Sequence, residues 1–215
     1  MNYIYILFEI IFTFFLMLVF YKISKKDGLY LYIVLMSSIL SIIMFKSIDL
    51  FSFQVNLGIP IIVSLFICNN IIIQRFGIDE VKRIVFTFGI SYLCTIVILS
   101  LLSLIIGSDY CLISNNAFDS LFGFSTNNIR ISIGGFISIL FMLWYDSYIY
   151  YYIRRKKNNF WFSNVGTMLI IQMIESIIFV LFAYIGEFDF SLLFCMIVNL
   201  LLKGYLCILK IELFH

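Results

Sequence analysis

Apolar residues in this chain gather into seven long runs, and most of its charged residues fall in the short gaps between them. The runs lie near 3–20, 29–46, 55–73, 84–106, 131–152, 161–185 and 190–212. A helix of about 20 residues crosses roughly 30 Å of hydrocarbon, so each run is predicted to span a bilayer. Many runs are rich in Ile, Phe and Tyr, residues that suit strands in water. In lipid an unpaired strand leaves its backbone amides and carbonyls without partners, so helices are expected. The runs are continuous and lack the alternation of a transmembrane barrel. The predicted fold class is therefore all-α. We read a polytopic transmembrane helical bundle of seven spans, a six-helix core plus an N-terminal helix, filling 1–215 as a single integral membrane domain.

Composition agrees: 63% of residues are hydrophobic and 12% charged, where soluble domains carry about 25% charge. A net charge of +2 gives no reason to expect a nucleic-acid partner. The placement of the charges says more than their sum. Lys22, Lys25 and Lys26 fill the first gap, Arg75, Lys82 and Arg83 the third, and Arg154, Arg155, Lys156 and Lys157 the fifth. Asp79 and Glu80 dilute the third gap; the alternate gaps hold Asp49, then Asp109 and Asp119, then Glu187 and Asp189, with Arg130 the main basic exception at a helix start. By the positive-inside rule the basic gaps are cytoplasmic, which places the N-terminus outside and the C-terminus inside. The first run has no basic residue ahead of it and no small-residue cleavage site behind it, so it reads as a retained helix and not a signal peptide.

The five cysteines show no CxxC or metal spacing, and the one histidine, His215, is terminal. No Ser/His/Asp set, HExxH motif or P-loop is present. Enzyme chemistry, a bound metal and a cofactor are thus not expected.

Chemistry is sought instead among the polar residues inside the runs, because hydrocarbon penalises charge and retains it mainly where it faces protein, water or a ligand. Asn70 and Gln74 stand four residues apart at the end of the third run, on one helix face. Pro60 and Gly58 lie upstream and are expected to kink that helix and free a carbonyl. The fifth run begins with Arg130 and carries Asp146 about 10 Å from its cytoplasmic end. The sixth holds Gln172 and Glu175 on one face, with Thr167 two turns earlier and Ser176 adjacent; the seventh holds Lys203. Two readings stand for the amides: ligand binding, or hydrogen-bonding glue between helices. For Glu175 a structural pair with Lys203 stands beside a ligand-facing role, which we prefer.

These residues, in this order, resemble the queuosine precursor transporter family, also called the vitamin uptake transporter family. The resemblance runs from about Phe14 to Lys203 and rests on several short stretches. Asn70-Ile71-Ile72-Ile73-Gln74-Arg75-Phe76-Gly77 with Lys82-Arg83 resembles the family's helix-ending segment and basic cluster. Arg130-Ile131-Ser132, Asp146 before Tyr148-Ile149-Tyr150, the turn into Trp161, Gln172-Met173-Ile174-Glu175-Ser176 and Lys203 resemble elements of its second half. The chain departs from the pattern where Asn70 replaces an Asp, Gln74 a Glu and Leu143 a Gln. Glu175 replaces the sixth-span Asp, and Leu213 stands where a proline ends the last helix. Two carboxylates thereby become neutral amides, which removes counter-charge for an aminomethyl cation and leaves neutral ligands unaffected.

The resemblance implies a bacterial cell-membrane importer of a 7-deazaguanine base such as preQ0, preQ1 or queuine, which precede queuosine in tRNA. A guanine-like edge offers N–H and amino donors that suit one carboxylate, while amides read the carbonyl and ring nitrogens. On that basis Glu175 takes the donor edge, and Gln172, Asn70 and Gln74 read the remaining atoms. Arg130, Asp146 and Lys203 organise the cavity or a gate. The alternative is a substrate-binding membrane subunit energised by a separate ATPase, although the alanine-rich docking surface of such subunits is represented only by Ala117 and Ala183. A purely structural bundle remains a further reading, and a homo-oligomer is left open. A channel is disfavoured for want of a filter motif.

Overall fold

A computed structural model describes residues 2–50, 53–107 and 112–157, together with residues 167, 170, 171, 174, 175, 177–179, 181 and 182. Five helices are built from these residues: α1 (Asn2–Ile43), α2 (Ile59–Phe76), α3 (Val81–Leu102), α4 (Leu112–Phe122) and α5 (Thr126–Lys157). A hairpin of β1 (Ser47–Leu50) and β2 (Phe53–Asn56) precedes α2, with Ser47 paired to Asn56 and Leu50 to Phe53. Among the described residues, three stretches are long and apolar enough to cross a membrane: Ile59–Phe76, Ile78–Leu102 and Thr126–Arg155.

The first two predicted spans are the two arms of α1. Ser24 and Lys25 leave helical geometry, Lys25 at φ +45°, and the chain doubles back there. The arms, 2–23 and 26–43, are about 33 and 27 Å long at 1.5 Å per residue. Gly28 permits the reversal, since a Cβ at that position would lie 1.9 Å from the Phe20 carbonyl oxygen. Tyr32 donates to the Thr13 carbonyl at 3.1 Å and ties one arm to the other.

Four expectations need correction. The third span begins at Ile59 and not near 55, because 53–56 pair as a strand; the bundle is helical but carries this small hairpin. Pro60 does not kink α2. It occupies the first turn, where its missing N–H would have had no helical partner and its fixed φ favours the start of a helix. Residues 112–122, read as part of a gap, form the short α4. The fifth helix also extends to Lys157, five residues beyond the predicted run. That puts Asp146 about 16 Å from its end. The seventh run, 190–212, lies outside the described residues.

Packing follows from which faces are apolar. α2 is apolar nearly all round and is buried from Ile59 through Asn70, the pattern of a helix enclosed by others. α1 packs against both α2 and α3, and α5 against both as well. α5 turns one face inward through Gly135, Ser138, Met142, Asp146 and Tyr150, at spacings of three and four. Phe88, Tyr92 and Phe136 stack between α3 and α5 at centroid distances of 5.6 and 5.7 Å. In the sixth segment Thr167, Ile171 and Glu175 are buried while Ile170, Ile174 and Ile177 are exposed, which fixes its inward face.

The two ends of the bundle differ in character. At one, Lys26 pairs with Glu80 at 2.6 Å, and Tyr30 donates to the same carboxylate at 2.7 Å. Arg83 covers the Tyr30 ring at 4.8 Å, while Arg75 covers the Tyr21 ring and donates to its hydroxyl. At the other end Phe45 meets Phe122 edge-on at 6.0 Å, and Asn128 closes the end of α4 by donating to the Ser120 and Gly123 carbonyls. A cavity of about 240 Å³ lies there, lined by Phe45, Ile96, Phe122, Asn128 and Ser132 among others.

Candidate functional site

A polar cluster lies inside the bundle where α2 crosses α5. Asn69 and Asp146 are both 0% exposed. The Asn69 amide nitrogen donates to Asp146 Oδ2 at 3.3 Å and lies 3.1 Å from Ser147 Oγ. Ser147 sits 2.6 Å from the Leu143 carbonyl and 3.3 Å from Asn69 Oδ1. A hydroxyl has one proton, and the shorter contact takes it. Ser147 therefore donates to Leu143 and accepts from Asn69. One amide group thus bridges two neighbouring residues of the facing helix.

The electrostatics of the cluster are unusual for a membrane interior. Among the described residues no cation pairs with Asp146, and Oδ1 of its carboxyl group has no hydrogen-bond partner among them. Isolated carboxylates away from water are costly, and bundles retain them where a ligand, an ion or a proton is handled.

Asn70 lies beside Asn69 on the buried stretch of α2, at 1% exposure. Gln74 is one turn further, where α2 nears its end, and is exposed; its Oε1 accepts from the buried Tyr150 hydroxyl at 3.4 Å. This contact ties the ends of α2 and α5 together about one turn, or about 5.4 Å, from Asp146. Glu175 is 4% exposed on the inward face of the sixth segment, and Thr167 is fully buried two turns before it. Arg130 is half-buried in the first turn of α5, far along that helix from Asp146. Gln172 and Lys203 lie outside the described residues. So Asn70, Asp146 and Glu175 share the bundle interior, Gln74 marks its basic end, and Arg130 lies towards the other end.

Asn69 and Ser147 carry the cluster, yet their sequence neighbours Asn70 and Asp146 drew attention first. The signal was the doublet Asn69-Asn70 itself, since two adjacent amides on a helix point about 100° apart and each needs its own partner. Cys68 is buried against the Leu29 carbonyl at 3.6 Å and Cys94 is exposed; both are free thiols.

Comparison with known proteins places this architecture. No solved structure matches the chain. A protein of Bacillus subtilis (strain 168) named "Probable queuosine precursor transporter" is 27% identical over 188 residues, covering 86% of this chain and 80% of that protein. The family described as "Putative vitamin uptake transporter" matches residues 56–214, from the end of the hairpin through α2, α5 and the Glu175 segment. A helical membrane protein with its polar groups turned inward, matched over most of its length, belongs to the vitamin uptake transporter family.

Proposed function

We propose that this chain imports a queuosine precursor, a 7-deazaguanine-type base, across a bacterial cell membrane for salvage into tRNA queuosine. The reading is supported most by one observation. Amide, hydroxyl and carboxyl groups from α2, α5 and the sixth segment are all buried inside an otherwise greasy bundle. A flat, nitrogen-rich heterocycle needs both donors and acceptors at closely spaced points, and such groups supply them. The name of the Bacillus subtilis relative points to the same substrate.

In this reading Glu175 accepts from the N–H and amino donors of the base. Asn70, with Gln172 and Gln74, reads the carbonyl and ring nitrogens. The replacement of acidic residues by Asn70 and Gln74 favours a neutral base over an aminomethyl cation, because an ammonium group would find amide oxygens in place of a countercharge. The basic end faces the cytoplasm and the N-terminus lies outside, with seven spans in all.

The test uses a strain unable to make or import these precursors, expressing this chain and fed each base in turn. Queuosine should reappear in its tRNA, most efficiently with the neutral nitrile. Glu175→Ala, present in the membrane at wild-type levels, should weaken apparent affinity about tenfold to a hundredfold, since hydrogen bonds to a charged group are worth about 1.5–3 kcal/mol. Unchanged affinity would remove Glu175 from the site. Recovery that requires a separate ATPase would favour the subunit alternative.

A further inference from the structure

Asp146 is completely buried, and Asn69 supplies its one hydrogen bond among the described residues. Among the described residues, the groups around it on the elements packed against α5 are few. From α2 come Asn69 and Asn70, both neutral, the buried Cys68 thiol, and Gln74 towards the basic end. From α3 comes Tyr92, whose hydroxyl lies against Met44 Sδ and the Ser132 carbonyl, several turns away along α5. The turn Ile78–Glu80 brings Asp79, exposed, and Glu80, held by Lys26 and Tyr30. Within α5 itself Tyr150 and Arg154 lie one and two turns towards the basic end, and Glu175 enters the interior from the sixth segment.

An ionised carboxylate withdrawn from water, with no cation beside it among the described residues, costs far more than a single amide contact returns. A proton removes that cost. Asn69 is suited to both states: its nitrogen donates to the carboxylate, and the same amide rotated about χ2 presents its oxygen to the acid O–H. Ser147, its own proton committed to Leu143, holds the amide by accepting from it.

We propose that Asp146 is the proton-binding site through which uptake is coupled to the proton gradient. One proton from outside water adds to the carboxylate, the bundle changes access with substrate aboard, and the same proton leaves to cytoplasmic water, regenerating the anion. Sodium is the rival occupant. It would require several oxygen ligands, and the gradient experiment below separates it from the proton. The coupling arm rests on the carrier reading above; the proton-site arm does not.

The proton site is read by infrared spectroscopy of the full-length protein in lipid vesicles, titrated with pH. Wild type should show the C=O band of a protonated carboxylic acid, kept in Glu175→Gln and missing from Asp146→Asn. Asn69→Ala should push loss of the band to higher pH, because removing a donor to the anion favours the acid. A wild type without such a band at any pH where it is folded, or a band that survives in Asp146→Asn, overturns the proposal. Should Asp146→Asn fail to fold, the direction of the Asn69→Ala shift decides.

Coupling is read in vesicles loaded with this protein and given labelled 7-cyano-7-deazaguanine. An acid-outside gradient should accelerate uptake by wild type, and Asp146→Asn should lose that response. A sodium-driven response, or a proton-driven one in Asp146→Asn, overturns the proposal. A wild type that moves none of the bases under any gradient refutes the carrier reading instead, and the infrared band then decides on the proton site alone.

Discussion

Gly135 shows how much a single hydrogen atom decides in this bundle. A Cβ there would lie 1.9 Å from Met44 Cε and 2.9 Å from the Tyr92 hydroxyl oxygen. Only a glycine lets α5 approach Met44, just past α1, and Tyr92 of α3 this closely. Gly135→Leu should destabilise the protein by about 1–3 kcal/mol, the usual range for overpacking, measured as denaturation in detergent. The obstacle at Met44 is the far end of a flexible side chain. Met44→Ala combined with Gly135→Ala should therefore recover part of what Gly135→Ala alone loses. A purely additive double mutant would mean that the two residues do not meet. Its partner Met44 stands some ninety residues away in the chain, and no local pattern points to it.

At the scale of elements, α2 is the helix that the others surround, and its start was misjudged. Pro60 looked like a kink because it lay inside an apolar run, whereas the run contains both a strand and a helix. As a first-turn residue it is replaceable. Pro60→Ala should change stability by less than about 1 kcal/mol, while Ile67→Pro, in the middle of α2, should cost about 3 kcal/mol or more. Thermal unfolding of the two variants checks the assignment. The turn after α2 ends with Gly77 at φ +100°, a conformation that glycine adopts without strain. Just beyond it Glu80 reaches back to Lys26 at the break in α1. Both side chains are partly exposed, so a double-mutant cycle on Lys26→Ala and Glu80→Ala should return about 0.5–1 kcal/mol. It should fall as salt is raised. A larger, salt-insensitive coupling would place the pair in a drier setting than the structure gives it.

For the whole molecule, the structure gathers Lys26, Arg75, Arg83 and Arg154 to one end, as the loop charges foretold, and α4 and the hairpin to the other. The orientation proposed from that asymmetry has a direct check. On a background without native cysteines, Asp119→Cys should react with a membrane-impermeant maleimide in intact cells, and Lys25→Cys only after the cells are opened. The reverse pattern would invert the topology and with it the side from which a proton and a base enter.

The sequence alone was enough to determine the solvent and, through it, the backbone. Runs of about twenty apolar residues belong in a bilayer, and a bilayer admits few backbones besides the helix. The basic gaps that the sequence marked gather, among the described residues, at one end of the bundle through Lys26, Arg75, Arg83 and Arg154. What the sequence left open was rotation. A helix apolar nearly all round, such as α2, carries little mark of which face meets which neighbour, and one residue of error swings a side chain by about 100°. Only the tertiary arrangement decided that Asn69 meets Asp146 and Ser147, that Gln74 stands at the exposed end of α2 against Tyr150, and that the Glu175 face turns inward. Those choices arise from packing between segments far apart in the chain, which no local pattern encodes.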